Sequence, residues 1–269
     1  MFKTSLALTF LLVLPATASS NEDDIEALLN ARVKAEYAFY TQDPRYLGNV
    51  RTEFESLTNH RAIESLAHYY AGYVDYRLAQ LHLDGDKSAA VEHLDNCIDA
   101  LKKAIKADRE FAEAYALLSG CYSLKAGAQS MKAVYLGPKA NRRIAQAREM
   151  APENPRVALL DGLNDYYRPA SLGRDVDSAF EKFSRAAELF ADSTAAQPGK
   201  PDWGHAEVYA MLGEIYLARN DAARARESFE QALLIVPEYK KAQRQLAEAL
   251  TLLQHGSRPP DGVSQSLPN

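Results

Sequence analysis

The run AEVYAMLGEIYLARNDAARARESFEQALLIVP, from Ala206 to Pro237, decides the fold of this chain. Tyr209, Leu212, Gly213 and Tyr216 stand at the spacing aromatic-x2-L-G-x2-Y. Ala225, Phe229, Ala232 and Pro237 follow at A-x3-F-x2-A-x4-P. Residues three, four and seven apart share one side of a helix, so each set marks a single helical face. Leu212, Tyr216 and Phe229 are bulky enough to fill the space between two antiparallel helices. Gly213, Ala225 and Ala232 are small, so the two backbones can approach closely. Pro237 stops the second helix, because it lacks an N–H and clashes with the preceding turn. The stretch therefore predicts one complete helix–turn–helix unit.

This unit resembles a tetratricopeptide repeat (TPR), whose period is about 34 residues. Degenerate copies stand upstream. One has Tyr115, Leu118, Ser119 and Tyr122 in its first helix and Ala140, Ile144, Ala147 and Pro152 in its second. Its spacing is stretched through Lys125 to Gly137, where Met131, Val134 and Tyr135 suggest a short packed helix. Another copy carries Gly162 and Tyr166, then Ala179, Phe183 and Ala186, with a turn lengthened by Arg168 to Gly173. An earlier one has Gly72, the turn Asp84-Gly85-Asp86, then Cys97, Leu101 and Ala104. Residues 19–58 read as a divergent helical pair broken at Asp43-Pro44, with Asp43 as N-cap and Pro44 at the first helical position. Residues 59–255 form the array. Its last helix, 240–255, carries Leu246, Ala247, Leu250 and Leu253 on the face that closes the final repeat. Residues 256–269 are rich in Pro, Ser and Gly and read as a disordered tail. The expected fold is all-α, and the resemblance implies a right-handed superhelical array of antiparallel helix pairs, an α-solenoid with a closing helix.

Composition and the N-terminus suggest a compartment. Lys3, the apolar run Leu6 to Leu14, Pro15 and the small-x-small site Ala16-Thr17-Ala18 read as a secretory signal spanning residues 1–18. A run of nine residues is too short to span a bilayer, which needs about 20. The expected location is a bacterial periplasm, with no stable membrane insertion after signal cleavage. Leaving out Lys3, 30 of the 31 Lys and Arg face 36 Asp and Glu, a net charge near −6. That balance argues against nucleic-acid and anionic-membrane partners, which want basic patches. The expected partner is instead a protein or peptide of the cell envelope.

The resemblance implies recognition on the concave side, lined by the first helix of each pair. Taking Gly72 as the small-residue position puts Tyr69, Tyr73, Tyr76 and Arg77 on that side. Taking Gly162 likewise adds Tyr166 and Tyr167, and the best repeat adds Glu207 and Glu214. These are the candidate partner-binding residues. The same i, i+4, i+7 spacing equally suits plain packing between helices. A second reading is a small-solute-binding partner of an envelope transporter. It requires an enclosed pocket, on the order of 300–1,000 Å³, converging on Tyr and Arg.

Cys97 and Cys121 lie 11 and 12 residues from a turn near Asp108-Arg109, which places them at equal height on an antiparallel hairpin. They are either a disulfide or two separately buried thiols. His60, His68, His82, His93, His205 and His255 show no metal-ligand spacing; His205, beside Trp203, reads as an N-terminal staple of the strongest repeat. No metal and no cofactor is expected. P-loop, G-x-S-x-G and G-x-G-x-x-G motifs are absent from the sequence, and the expected role is not enzymatic.

Overall fold

The structure is a computed structural model that describes residues 17–169, 173–192 and 199–256. The expected signal segment lies almost wholly outside these residues, as does the expected tail beyond Gly256. Eleven α-helices run through the described residues: α1 (Thr17–Tyr40), α2 (Pro44–Leu57), α3 (Glu64–His82), α4 (Lys87–Ala107), α5 (Ala112–Ala128), α6 (Ala133–Met150), α7 (Pro155–Tyr166), α8 (Val176–Asp192), α9 (His205–Ala218), α10 (Ala222–Ile235) and α11 (Lys240–Gly256). Consecutive helices pack as antiparallel pairs, five in all, with α11 laid against the last.

Local chemistry sets the helix starts. The Asp43 carboxylate accepts from the Tyr46 N–H at 2.9 Å, with Pro44 in the first turn. Asp86 caps α4 through the Ser88 and Ala89 amides, and Asn154 caps α7 through Arg156 and Val157. Each cap satisfies N–H groups that have no partner within the helix, which is worth about 1 kcal/mol.

The small residues act where the spacing placed them. A Cβ on Gly213 would stand 2.5 Å from the Phe229 ring, and one on Gly162 would stand 2.6 Å from Phe183. Gly72 is similarly covered by Leu101 at 2.9 Å. In the α5–α6 pair Ser119 takes this position and donates to the Ala140 carbonyl at 2.9 Å. A small residue under a bulky one thus closes three hairpins, and a small residue against the partner backbone closes the fourth.

The two members of each pair differ in how they are buried. In α4 the buried residues, Ala90, Leu94, Cys97, Ile98, Leu101 and Ala104, form one stripe. In α3, α5, α7 and α9 burial runs around nearly the whole circumference. A helix buried all round has neighbours on every side. These four helices therefore line the inside of the array, and that inside is occupied.

The stretch before α6 departs from expectation. A 3₁₀ turn (Ser130–Lys132) joins α5 to α6, so the insertion is helical. It is not packed, however: Met131, Val134 and Tyr135 are exposed. Only Ala133 and Leu136 point inward there.

Candidate functional site

The concave side is sealed from two directions. The first helix closes onto the last: the Tyr40 and Tyr239 rings meet edge to face at 4.9 Å, and Arg244 donates to the Gln42 side-chain carbonyl at 2.7 Å. Between α8 and α9, residues 199–204 reach inward. The Lys200 carbonyl accepts from the Tyr70 hydroxyl at 3.2 Å, and the Trp203 indole N–H donates to the Tyr69 hydroxyl at 3.0 Å. Gly204 turns the chain at φ +108°, where a Cβ would meet Leu159 at 2.9 Å and Phe190 at 3.0 Å. Any L side chain there is strained by backbone and crowding together. The connection is shaped to carry Trp203 into the hollow.

Arg77 is the centre of this plug. Its guanidinium lies 4.1 Å from the Phe39 ring centroid and 4.8 Å from those of Tyr73 and Trp203. It pairs with Glu207, which also accepts from the Tyr40 hydroxyl at 3.0 Å. Burial alone would lower the Arg77 pKa, but Tyr73 and Glu207 more than offset it and hold the group charged. Burial pushes the Tyr76 hydroxyl up to about 12 and the Tyr73 hydroxyl higher still. Glu36 on α1 faces the same interior. Burial raises its carboxyl to about 7; Arg32 opposes the shift, and Glu207 and Asp202 add to it.

The sequence placed Tyr69, Tyr73, Tyr76 and Arg77 on the concave side, and they are there, but none is open to a partner. All four are at most 2% exposed. The physical reason is the α1 end and the 199–204 segment, which cover them. Glu207 is likewise buried, on Arg77. Tyr166 is half-buried and donates to Glu214 at 3.4 Å, while Lys241 Nζ sits 2.5 Å from the other Glu214 oxygen. Tyr167 faces the pocket described next. Cys97 and Cys121 are joined in a disulfide, with Cα atoms 6.5 Å apart. His205 stacks on Phe190 at 5.0 Å, in keeping with a packing role.

One pocket of about 290 Å³ remains at the mouth of the bore. Its walls come from α1, α3, α5, α7, α9 and α11, so it is the unfilled end of the lumen. Leu124, Leu159, Leu163 and Met211 line it with Phe39, Trp203 and Tyr239. Arg77, Glu207, Asp84, Lys241 and Arg244 supply its charges. Arg77 and Lys241 are each paired with a carboxylate. Arg244 hydrogen-bonds a neutral glutamine and is exposed, which leaves it free to meet an anion.

Sequence reasoning missed Phe39, Trp203, Tyr239 and Arg244. Three lie in helix ends or loops outside the repeat pattern. Trp203, in the run Pro201-Asp202-Trp203-Gly204, was the visible signal: a lone tryptophan in a loop needs somewhere to be buried.

Among solved structures, the thermophilic TPR protein TTC0263 of Thermus thermophilus superposes with a TM-score of 0.55 at 18% identity, over 86% of this chain and 99% of that one. The fold is that of a TPR-type helical repeat. The HusA haemophore from Porphyromonas gingivalis also superposes, with a TM-score of 0.54 at 22% identity, over 77% of this chain and 94% of that one. At these identities the likeness is one of fold. No protein-family model and no curated protein matches the sequence. Among the described residues no helix is long and apolar enough to cross a membrane.

Proposed function

We propose that this TPR-type protein is a non-catalytic binder of a small amphipathic molecule with an anionic head, held at the mouth of its closed bore. The observation that carries the reading is the filled interior, which among the described residues leaves at its mouth a pocket of about 290 Å³ with an apolar floor and, at its rim, a cation in no ion pair. Pockets near this size suit small molecules. A peptide needs an open groove, and that groove is occupied by Trp203 and its neighbours. The ligand body would lie against the partly exposed Leu81, Leu83 and Tyr167 of the pocket wall, and its anionic group would meet Arg244. HusA, a structural neighbour described as a haemophore, is a precedent for this fold in a ligand-carrying protein. An envelope location is part of the proposal. It is supported by the signal-like N-terminus and by the Cys97–Cys121 disulfide, since such bonds persist in oxidising compartments.

Trp203 is the only tryptophan in the chain, so its emission reports on this pocket alone. Titration with octanoate and with 8-anilinonaphthalene-1-sulfonate should shift it, and Arg244→Glu should weaken both at least tenfold, as loss of a charge-assisted contact does. Emission unmoved by either ligand, or equal affinity in Arg244→Glu, overturns the reading. The competing adaptor role requires residues 199–204 to swing out. It predicts a red-shifted, solvent-exposed Trp203 when a partner from envelope extract binds. Fusion of residues 1–18 to a reporter active only after export tests the location; an inactive reporter rejects it.

A further inference from the structure

The segment joining α5 to α6 is unlike the rest of this acidic chain. Between Ala126 and Ala147 stand Lys132, Lys139, Arg142 and Arg143, and no Asp or Glu. Lys125 and Arg148, just outside, are paired with Asp95 and Asp161. Among the described residues none of the four inner cations is in an ion pair. Beside them protrudes an apolar ridge: Met131 is 98% exposed, Val134 76% and Tyr135 65%. With Pro138, also exposed, these residues fall at i, i+3, i+4 and i+7 and so share one side of the turn and helix. The Lys139 ammonium lies 3.8 Å over the Tyr135 ring, which puts charge at the edge of the ridge. Behind the ridge Val134, Gly137 and Pro138 border a slot of about 310 Å³ that is floored by Ala126, Ala133 and Ala140 and edged by Asn141, Asn164 and Arg168.

We infer that this surface docks the protein on an anionic lipid bilayer. Apolar side chains standing out from a helix face, ringed by unpaired cations, are the arrangement that lies in a headgroup interface. The apolar tips enter the acyl boundary while Lys132, Lys139, Arg142 and Arg143 meet lipid phosphates. The shape of the ridge favours a bilayer over an acidic peptide. Met131 projects with almost no neighbour, and a soft medium closes around a projection, whereas a folded partner needs a matching pit. The slot offers room for one displaced acyl chain. The chain's net charge of −5 hides this patch, because membrane attraction is felt within about a Debye length and depends on local charge. The patch shares no residue with the bore pocket, so the two sites are tested independently.

Vesicle co-sedimentation decides the matter, using the processed chain from Ser19 onward so that the apolar run at Leu6–Leu14 does not contribute. Vesicles of phosphatidylcholine with one-quarter phosphatidylglycerol should bind the protein at 50 mM salt. Pure phosphatidylcholine should bind it at least tenfold more weakly. Lys132→Gln with Arg142→Gln should lower partitioning about 25-fold, at roughly fivefold per cation. Met131→Ser, Val134→Ser and Tyr135→Ser together should lower it tenfold or more. All five positions are exposed, and circular dichroism confirms that the variants fold. Equal binding to both vesicle types, or binding untouched by either variant set, overturns the inference. So does an absence of vesicle binding, and a polyglutamate peptide bound in its place would identify the site as one for acidic peptides.

Discussion

Replacing Arg77 by methionine is the sharpest test of the closed interior. Arg77 is 2% exposed, and its substitution leaves the Glu207 carboxylate buried with only the Tyr40 hydroxyl as donor. Removing one partner of a buried ion pair costs about 3–5 kcal/mol, chiefly because the surviving charge has lost its compensation. Methionine keeps most of the contact with Phe39, Tyr73 and Trp203, so the packing loss is small beside this. The double variant Arg77→Met, Glu207→Gln removes both charges and should recover stability to within about 1 kcal/mol of the parent. Urea unfolding followed through Trp203 emission measures all three proteins. A loss below about 1 kcal/mol in the single variant would mean that water solvates Glu207. The plugged-bore description would then be wrong.

The remaining predictions follow from the same packing. Glu36→Gln should stabilise the protein at pH 8 by up to about 3 kcal/mol, since the native carboxyl titrates near pH 7 against about 4.5 unfolded. In the parent, stability contributed by protonated Glu36 is complete below pH 4.5 and lost as pH rises through 7; thermal melts across this range should show it, and a slope unchanged by Glu36→Gln would refute it. Reducing the Cys97–Cys121 bond, which closes a loop of 24 residues, should lower stability by about 3 kcal/mol in denaturant titrations. Gly213→Ala should destabilise by about 1–3 kcal/mol, because its Cβ would meet the Phe229 ring. Gly48→Ala, on a helix position with open space around it, should instead stabilise by roughly 0.5–1 kcal/mol. Equal effects at the two glycines would show that helix propensity, not hairpin contact, sets their roles.

The repeat itself was legible because it is local physics. Gly213 under Phe229, Gly162 under Phe183 and Asp43 capping α2 are each decided within one hairpin, among residues whose spacing the helix fixes. The shared helix face of Tyr69, Tyr73 and Tyr76 follows from the same spacing. Whether they faced solvent was not legible, because the residues that cover them come from far along the chain. Trp203 reaches Tyr69 across 134 positions, and Arg244 reaches Gln42 across 202. No local pattern encodes how far a stack of slightly rotated pairs must curve before its ends meet.

The amino-acid order alone thus determined that this chain is a row of helix hairpins, since side-chain size at helical spacing dictates which backbones can touch. It also placed Cys97 and Cys121 at one height, because equal distance from a turn is a property of the chain. Tertiary structure decided that the row closes on itself, that Arg77 and Glu207 neutralise each other inside it, and that one pocket stays open at its mouth. It also set Met131, Val134 and Tyr135 on the surface instead of in the core. Closure is a sum over every interface in the array, and a sum of small angles is fixed only when all the pairs are stacked.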